Sequence, residues 1–573
     1  MSGSSTESDD EDLKRAIAMS LEEGAKSSPV KPAVPMDING KAVSSLPHTI
    51  LLAANIIQTE APDTMPAQMA PHATTNAART GIMGLDRAAM EAERLARLAS
   101  KKRSAPDSPP RVEAEHQALS KKPKTETHTS CASAITTPAT PSTLQYSRGV
   151  VKRTWSKLHP RSNDIKIEEV LMKDKLKVAV LSSFQWDQDW IFSKINLKTT
   201  KMIVVMEAKN DAERIQFKKD AEDIGLKACC PPQQGQYTCM HSKLMLLFYE
   251  ESLRIVVPTA NLMPYDWGET GIMENSAFII DLPRRKDGAS SADSLTFFGK
   301  ELMYFLEKKG IQENARQGVL KFDFSDTEHL AFVHSTFGSH FGEDMRRNGL
   351  PGLSRAVKHL GLGCEGSLEL DFAASSIGSL TDLTVNNLYE AARGRDIIAQ
   401  GRDKLKIPNS RTKHHFRIYF PLHETVAKSL GGTDNGGTIC LQKKYFEKPD
   451  FPKSMFRDNQ SKRQGMLSHN KILLARGRKS KSDESKGTIA WAYVGSANMS
   501  ESAWGRIVMD KATKDPKLTC NNWECGVLIS VPNPPANVLD TSLDTVFKDI
   551  LDIPFVAPAK EYAGKKPWYF QER

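Results

Sequence analysis

The chain of 573 residues is poor in several features that would each narrow its class. Its eight cysteines, at 131, 229, 230, 239, 364, 440, 520 and 525, contain no CxxC pair and no regular framework. That argues against zinc fingers and disulfide scaffolds and fits a reducing compartment. No apolar run approaches the roughly 20 residues that cross a bilayer, so no membrane span is expected. The opening MSGSSTESDDED is acidic where a secretory signal would be basic and then apolar. Aromatic residues are 7% of the chain and scarce in residues 1–148, which are rich in Ala, Pro, Ser, Thr and charge. Such a stretch buries too little apolar surface to offset its chain entropy, so 1–148 is expected to be a disordered tail. The net charge of +9 and pI near 8.9 suit a polyanionic partner.

Three islands interrupt the tail. In residues 10–24, DEDLKRAIAMSLEEG, Leu13, Ile17 and Leu21 recur at i, i+4, i+8, with Ala16 and Ser20 beside them and acids at both ends. This resembles a ubiquitin-interacting motif. The resemblance implies ubiquitin or ubiquitinated proteins as partners, with Leu13, Ala16, Ile17 and Ser20 as contacts. Residues 85–99 are a strong helix former without an assigned role. Residues 101–124 carry Lys101-Lys102-Arg103 and Lys121-Lys122-Pro-Lys124 around a polar spacer, the look of a nuclear localisation signal. A nuclear protein is expected.

After Ser147 the composition changes. Apolar runs of strand length appear at 176–184, 202–208, 243–249, 253–259 and 276–282, and again at 471–476, 489–495 and 524–531. A helical pattern fills 293–310. Strands and helices mixed in this way predict a layered α/β fold.

Two segments repeat. MHSKLMLLFYEESLRIVVPTANLMPYDWG (240–268) and SHNKILLARGRKSKSDESKGTIAWAYVGSANMSESAWG (468–505) each run His-x-Lys, apolar strand, polar turn, second apolar strand, then Ala-Asn-x₅-Trp-Gly. An internal duplication is inferred. Residues two apart share a strand face, so His241 projects with Lys243 and His469 with Lys471. If each second strand returns alongside, Asn261 and Asn498 join them. Two imidazoles, two ammonium groups and two carboxamides suit a phosphodiester. One neutral histidine can attack phosphorus and a protonated one can serve the leaving oxygen, while Lys and Asn hold the non-bridging oxygens.

The paired His-x-Lys motifs resemble those of the phospholipase D superfamily. The Asp that usually follows is replaced by Phe248 and Arg476. His-x-Lys with a distal Asn and no Asp is similar to the tyrosyl-DNA phosphodiesterase family, as are EESLRIVVPTANLMPYDW, FAASSIGSL (372–380) and NNWECGVLI (521–529). The resemblance covers about 149–573. It implies two pseudo-symmetric phospholipase D-like α-β-α sandwich domains, at 149–348 and 349–573. It also implies hydrolysis of the 3′-phosphotyrosyl bond between topoisomerase I and DNA, with His241 as nucleophile and His469 as acid and base. Lys243, Lys471, Asn261 and Asn498 would clamp the phosphoryl group, and Glu524 would orient a catalytic histidine. Tyr237 would stack on a base, and Ser375, Ser376 and Ser500 would meet the DNA backbone or phosphate. The polar group serving the other histidine stays open among Glu269, Thr270 and Glu274. Neither cofactor nor metal is implied, and a monomer is expected. The alternatives are another nuclease or lipid hydrolase of the superfamily, or an inactive adaptor that binds ubiquitin or DNA.

Overall fold

The computed structural model describes residues 144–233, 238–398, 410–483 and 487–570. The tail islands and Tyr237 lie outside the described residues. The apolar runs become strands close to where the sequence places them: Val178–Ser182, Lys201–Val205, Leu244–Phe248, Ser252–Pro258, Ser276–Pro283, Ile472–Arg478, Thr488–Gly495 and Asn522–Ser530. Several are apolar without alternation. All five residues of Leu244–Phe248 are buried because both faces of the strand are covered. The predicted helix at 293–310 is trimmed to Phe297–Lys308. The Thr296 hydroxyl caps it by accepting the Gly299 N–H, and Gly310 ends the segment at φ +77°. Its Phe298, Leu302, Phe305 and Leu306 are buried at helical spacing.

Two sheets result. Across the first the strands run Asp164–Ile165, Val150–Thr154, Ser276–Pro283, Ser252–Pro258, Leu244–Phe248, Val178–Ser182, Lys201–Val205 and Lys227–Cys229. Across the second they run Leu330–Ser335, Asn522–Ser530, Thr488–Gly495, Ile472–Arg478, Leu368–Ala373, Phe416–Phe420 and Phe456–Asp458. From Val150–Thr154 and from Leu330–Ser335 onward, the orders are the same. So are the directions, with four antiparallel pairings followed by two parallel ones. The duplication seen in the motifs is therefore a duplication of whole sheets. The second repeat opens at Leu330, ahead of the 348/349 division read from the sequence. No composition shift marks that point, because LAFVHS reads like any other buried strand.

The inner faces share one core. Leu244, Leu246, Ile255 and Val257 of the first sheet pack in the same cluster as Ile472, Leu474, Ala492 and Val494 of the second, with Phe298 and Phe305 of the helix among them. The outer faces carry separate clusters, one around Leu181, Leu247 and Ile279 and the other around Phe372, Leu473 and Leu528. This back-to-back arrangement brings the two sets of loops at the strand ends to one place. Among the described residues no helix is long and apolar enough to cross a membrane.

Candidate active site

Each His-x-Lys lies just before its long strand and just after a two-residue strand lent to the other half. Cys239–Met240 pairs in parallel with Asn522 and Trp523, and Leu467–Ser468 pairs in parallel with Met273 and Glu274. These crossings swing His241 and His469 into the opposite half. His241 Nδ1 lies 3.0 Å from Glu524 Oε2, and His469 Nδ1 lies 3.1 Å from Asp266 Oδ1. Each imidazole is thus oriented by a carboxylate of the other repeat. Lys471 donates to the Thr259 carbonyl of the first half at 3.3 Å, and Cys525 donates through Sγ to the Lys243 carbonyl at 3.3 Å.

The lysines lie under their own histidines. Lys243 Nζ donates to the His241 carbonyl at 3.0 Å and Lys471 Nζ to the His469 carbonyl at 2.5 Å. Both lysines are fully buried. Burial lowers the Lys243 pKa, and burial together with the Lys243 charge takes Lys471 well below the ordinary lysine value. Burial lowers His241, and the charges of Lys243 and Lys471 act in the same direction against Glu524. Burial, Lys471 and Lys243 hold His469 down at about 4, against the pull of Asp266. Each histidine therefore senses the lysine of the opposite repeat, the electrostatic mark of a shared site.

The asparagines close it. The Asn498 side-chain carbonyl accepts from Ser375 Oγ at 3.2 Å and from the Ser376 N–H at 3.0 Å. Ser375 and Ser376 thus stand beside Asn498. Asn261 donates to Gln185 Oε1 at 3.4 Å, and its backbone N–H donates to Asp266 Oδ2 at 2.8 Å. The Asn-x₅-Trp-Gly spacing has a cause in the first half. Trp267 Nε1 donates to the Asn261 carbonyl at 2.9 Å, closing the loop on itself. Gly268 and Gly505 both take positive φ, +80° and +79°. A Cβ on Gly268 would fall on the Trp155 carbonyl oxygen. Ser500 is the N-cap of the short helix Glu501–Trp504, its hydroxyl accepting the Ala503 N–H at 3.2 Å.

The partner of the second histidine is Asp266, which the sequence reading did not name. The three candidates have other surroundings. Glu269 accepts from Trp190 Nε1 at 2.8 Å and pairs with Lys194 at 2.7 Å. Thr270 is exposed. Glu274 offers His469 only its backbone carbonyl, 2.9 Å from the His469 nitrogen, while its carboxylate meets Ser461, Arg463 and Arg153. The usable signal was position inside the repeat. Asp266 precedes Trp267 in the first Asn-x₅-Trp-Gly, where the second copy has Ala503.

A family model described as tyrosyl-DNA phosphodiesterase matches residues 150–563. The chain belongs to the tyrosyl-DNA phosphodiesterase family. A ubiquitin interaction motif model matches residues 8–24, two residues wider at its start than the island read from the sequence. Curated relatives include tyrosyl-DNA phosphodiesterase 1 of Arabidopsis thaliana, 26% identical over 387 residues, covering 65% of this chain and 59% of the relative. Another is tyrosyl-DNA phosphodiesterase 1 of Drosophila melanogaster, 25% identical over 386 residues, covering 65% and 63%. The match thus spans less than two thirds of these relatives' own length. A solved structure of the yeast tyrosyl-DNA phosphodiesterase superposes with a TM-score of 0.53 at 17% identity, over 74% of this chain and 100% of that one. That likeness bears on the fold alone.

Proposed function

We propose that this protein hydrolyses the phosphodiester that joins a tyrosine, such as that of stalled topoisomerase I, to the 3′ end of DNA. The observation that carries the reading is the exchange of carboxylates, His241 with Glu524 and His469 with Asp266, which sets both imidazoles at one place. With Nδ1–H donated to Glu524, His241 keeps its lone pair on Nε2, the form needed to attack phosphorus. The tyrosyl oxygen leaves as the Nε2–P bond forms, and His469 Nε2 delivers its proton. His469 then removes a proton from water, which displaces His241 and leaves a 3′-phosphate. Lys243, Lys471, Asn261 and Asn498 hold the non-bridging oxygens, where charge builds in the transition state.

The low proton affinity of His469 in the free protein fits this order. Burial depresses it first and the charges of Lys471 and Lys243 add to that; a phosphodiester anion offsets the lysines' share. Substrate binding therefore moves the His469 pKa upward, toward the protonated form that a general acid needs. Tyr237, by its sequence position, is assigned to base stacking, and Ser375, Ser376 and Ser500 to the strand bearing the 3′ end. The basic balance of the chain supplies a salt-sensitive attraction to DNA. The tail motif is assigned to ubiquitin and its basic clusters to nuclear import.

A single-stranded oligonucleotide ending in 3′-phosphotyrosine, incubated in excess EDTA, tests the proposal. Release of tyrosine and a 3′-phosphate product is expected. No turnover, or turnover only with added divalent metal, contradicts it.

A further inference from the structure

The two sheets have equivalent positions that can be read from register. Pro258 pairs with Ala277 and precedes Thr259-Ala260-Asn261, as Gly495 pairs with Gly526 and precedes Ser496-Ala497-Asn498. Two residues before Ala277 and Gly526 stand Asn275 and Glu524. The local hydrogen bonds confirm the match. The Thr259 hydroxyl accepts the Ser276 N–H and donates to the Asn275 side chain. The Ser496 hydroxyl accepts the Cys525 N–H and donates to the Glu524 carboxylate. Asn275 is thus the first-half counterpart of the residue that orients His241.

It cannot do the same work directly, because an amide carries no charge. Instead its Nδ2 donates to Asp266 Oδ1 at 2.9 Å and to the Asp266 carbonyl at 3.2 Å. Its Oδ1 accepts from Thr259 Oγ1 at 2.8 Å, and the Thr259 carbonyl receives Lys471 Nζ. Asn275 is fully buried, and its backbone is pinned to Thr154 on the neighbouring strand. One amide therefore touches the carboxylate behind His469 and the threonine behind Lys471. A carboxylate in its place would face Asp266 at hydrogen-bond distance and repel it.

We propose that Asn275 is a positioning residue that fixes the Asp266 carboxylate against His469, and that it serves the steps His469 performs while leaving the attack by His241 largely untouched. The inference rests on the phosphohistidine reading above. In that scheme His469 has two tasks, protonating the tyrosyl oxygen and activating the water. A leaving group that needs no proton removes the first and leaves only the second dependent on Asp266 and Asn275.

The test uses the full chain and an oligonucleotide whose 3′-phosphate is esterified to 4-nitrophenol. In single turnover, Asn275→Ala is expected to release nitrophenolate within about threefold of the parent. Breakdown of the protein–DNA adduct should slow at least about tenfold, so that the adduct accumulates on denaturing gels. Asn275→Asp, nearly isosteric and bringing a second carboxylate against Asp266, is expected to show the same split without loss of side-chain volume. Equal slowing of release and breakdown in both variants, or no change in either step, overturns the assignment. Failure of the underlying reading looks different, since the parent itself would then release nitrophenolate without passing through a covalent adduct, or not at all. If Asn275→Ala does not fold, Asn275→Asp decides alone.

Discussion

In the second repeat the carboxylate that orients a histidine stands on a strand, as Glu524. In the first repeat the equivalent strand position is Asn275, and the carboxylate comes from the loop below it, as Asp266. Around this difference the two halves agree in sheet order, in strand direction, in His-x-Lys, in the distal Asn and in the hydroxyl that bonds the strand residue, Thr259 to Asn275 and Ser496 to Glu524. Agreement falls on the groups that would meet a phosphate, which has two similar oxygens to hold. Divergence falls on the groups that set the proton chemistry of each imidazole, where the proposed scheme assigns one the role of nucleophile and the other that of acid and base. The flanking loops diverge in the same way. Ser182 and Ala373 are equivalent by register with Leu244 and Ile472, so Gln185 beside Asn261 answers to Ser376 beside Asn498. A duplicated fold supplies a symmetric cradle, and substitutions behind it give the reaction a direction.

The comparison can be broken most sharply at the histidines themselves. His241→Ala is expected to abolish both adduct and product, a loss of roughly 10⁵-fold or more in single-turnover cleavage. His469→Asn is expected to trap the adduct with breakdown slowed about 10²–10⁴-fold. Equal adduct yields from the two variants would refute the division of roles, and adduct trapped by His241→Ala instead would reverse it. One layer back, with 4-nitrophenol as the leaving group, Glu524→Gln should slow adduct formation and Asp266→Asn adduct breakdown, each by about 10²-fold. If both slow the same step, the halves are not specialised.

How much of this was legible beforehand differs between residues. His241, Lys243, His469, Lys471, Asn261 and Asn498 announce themselves because the chemistry repeats at fixed spacing within short segments. Glu524 was found through the NNWECGVLI resemblance. Asp266 was not found, because its partner is 203 residues away and its importance depends on how a loop closes. Trp267 closes that loop, and the tryptophan was visible as part of the repeat without its role. The strands were legible as apolar runs. The identity of the two sheet orders was not, because short edge strands such as Phe456–Asp458 carry no periodic signal. For the same reason the second repeat's first strand, Leu330–Ser335, went unrecognised as a beginning.

A smaller effect sharpens the comparison through pH. A histidine whose folded pKa lies below its unfolded value near 6.5 stays neutral in the fold while the unfolded chain takes up a proton. For His469, held near 4, the resulting stability is present above about pH 6.5 and is lost as pH falls toward 4. About 2 kcal/mol of that loss falls between pH 7 and pH 5. Urea denaturation of the parent and of His469→Gln at those two pH values should differ by about this amount; parallel curves would show that burial and the lysine charges do not hold His469 down.

The smallest effect on catalysis belongs to the tail. Ala16→Gly with Ser20→Ala should leave cleavage rates unchanged while removing the shifts seen when ubiquitin is titrated with the full chain. Retained shifts would take those two side chains out of the interface.

The central claim is that both repeats act on one phosphorus atom. Crystals of the protein grown with a short oligonucleotide and orthovanadate address it directly, because vanadate takes the five-coordinate geometry of the transition state. The account expects a single vanadium between His241 Nε2 and the ligand facing His469, with Lys243, Lys471, Asn261 and Asn498 on its equatorial oxygens. Vanadate bound to one repeat alone, with the histidine of the other turned away, would contradict it.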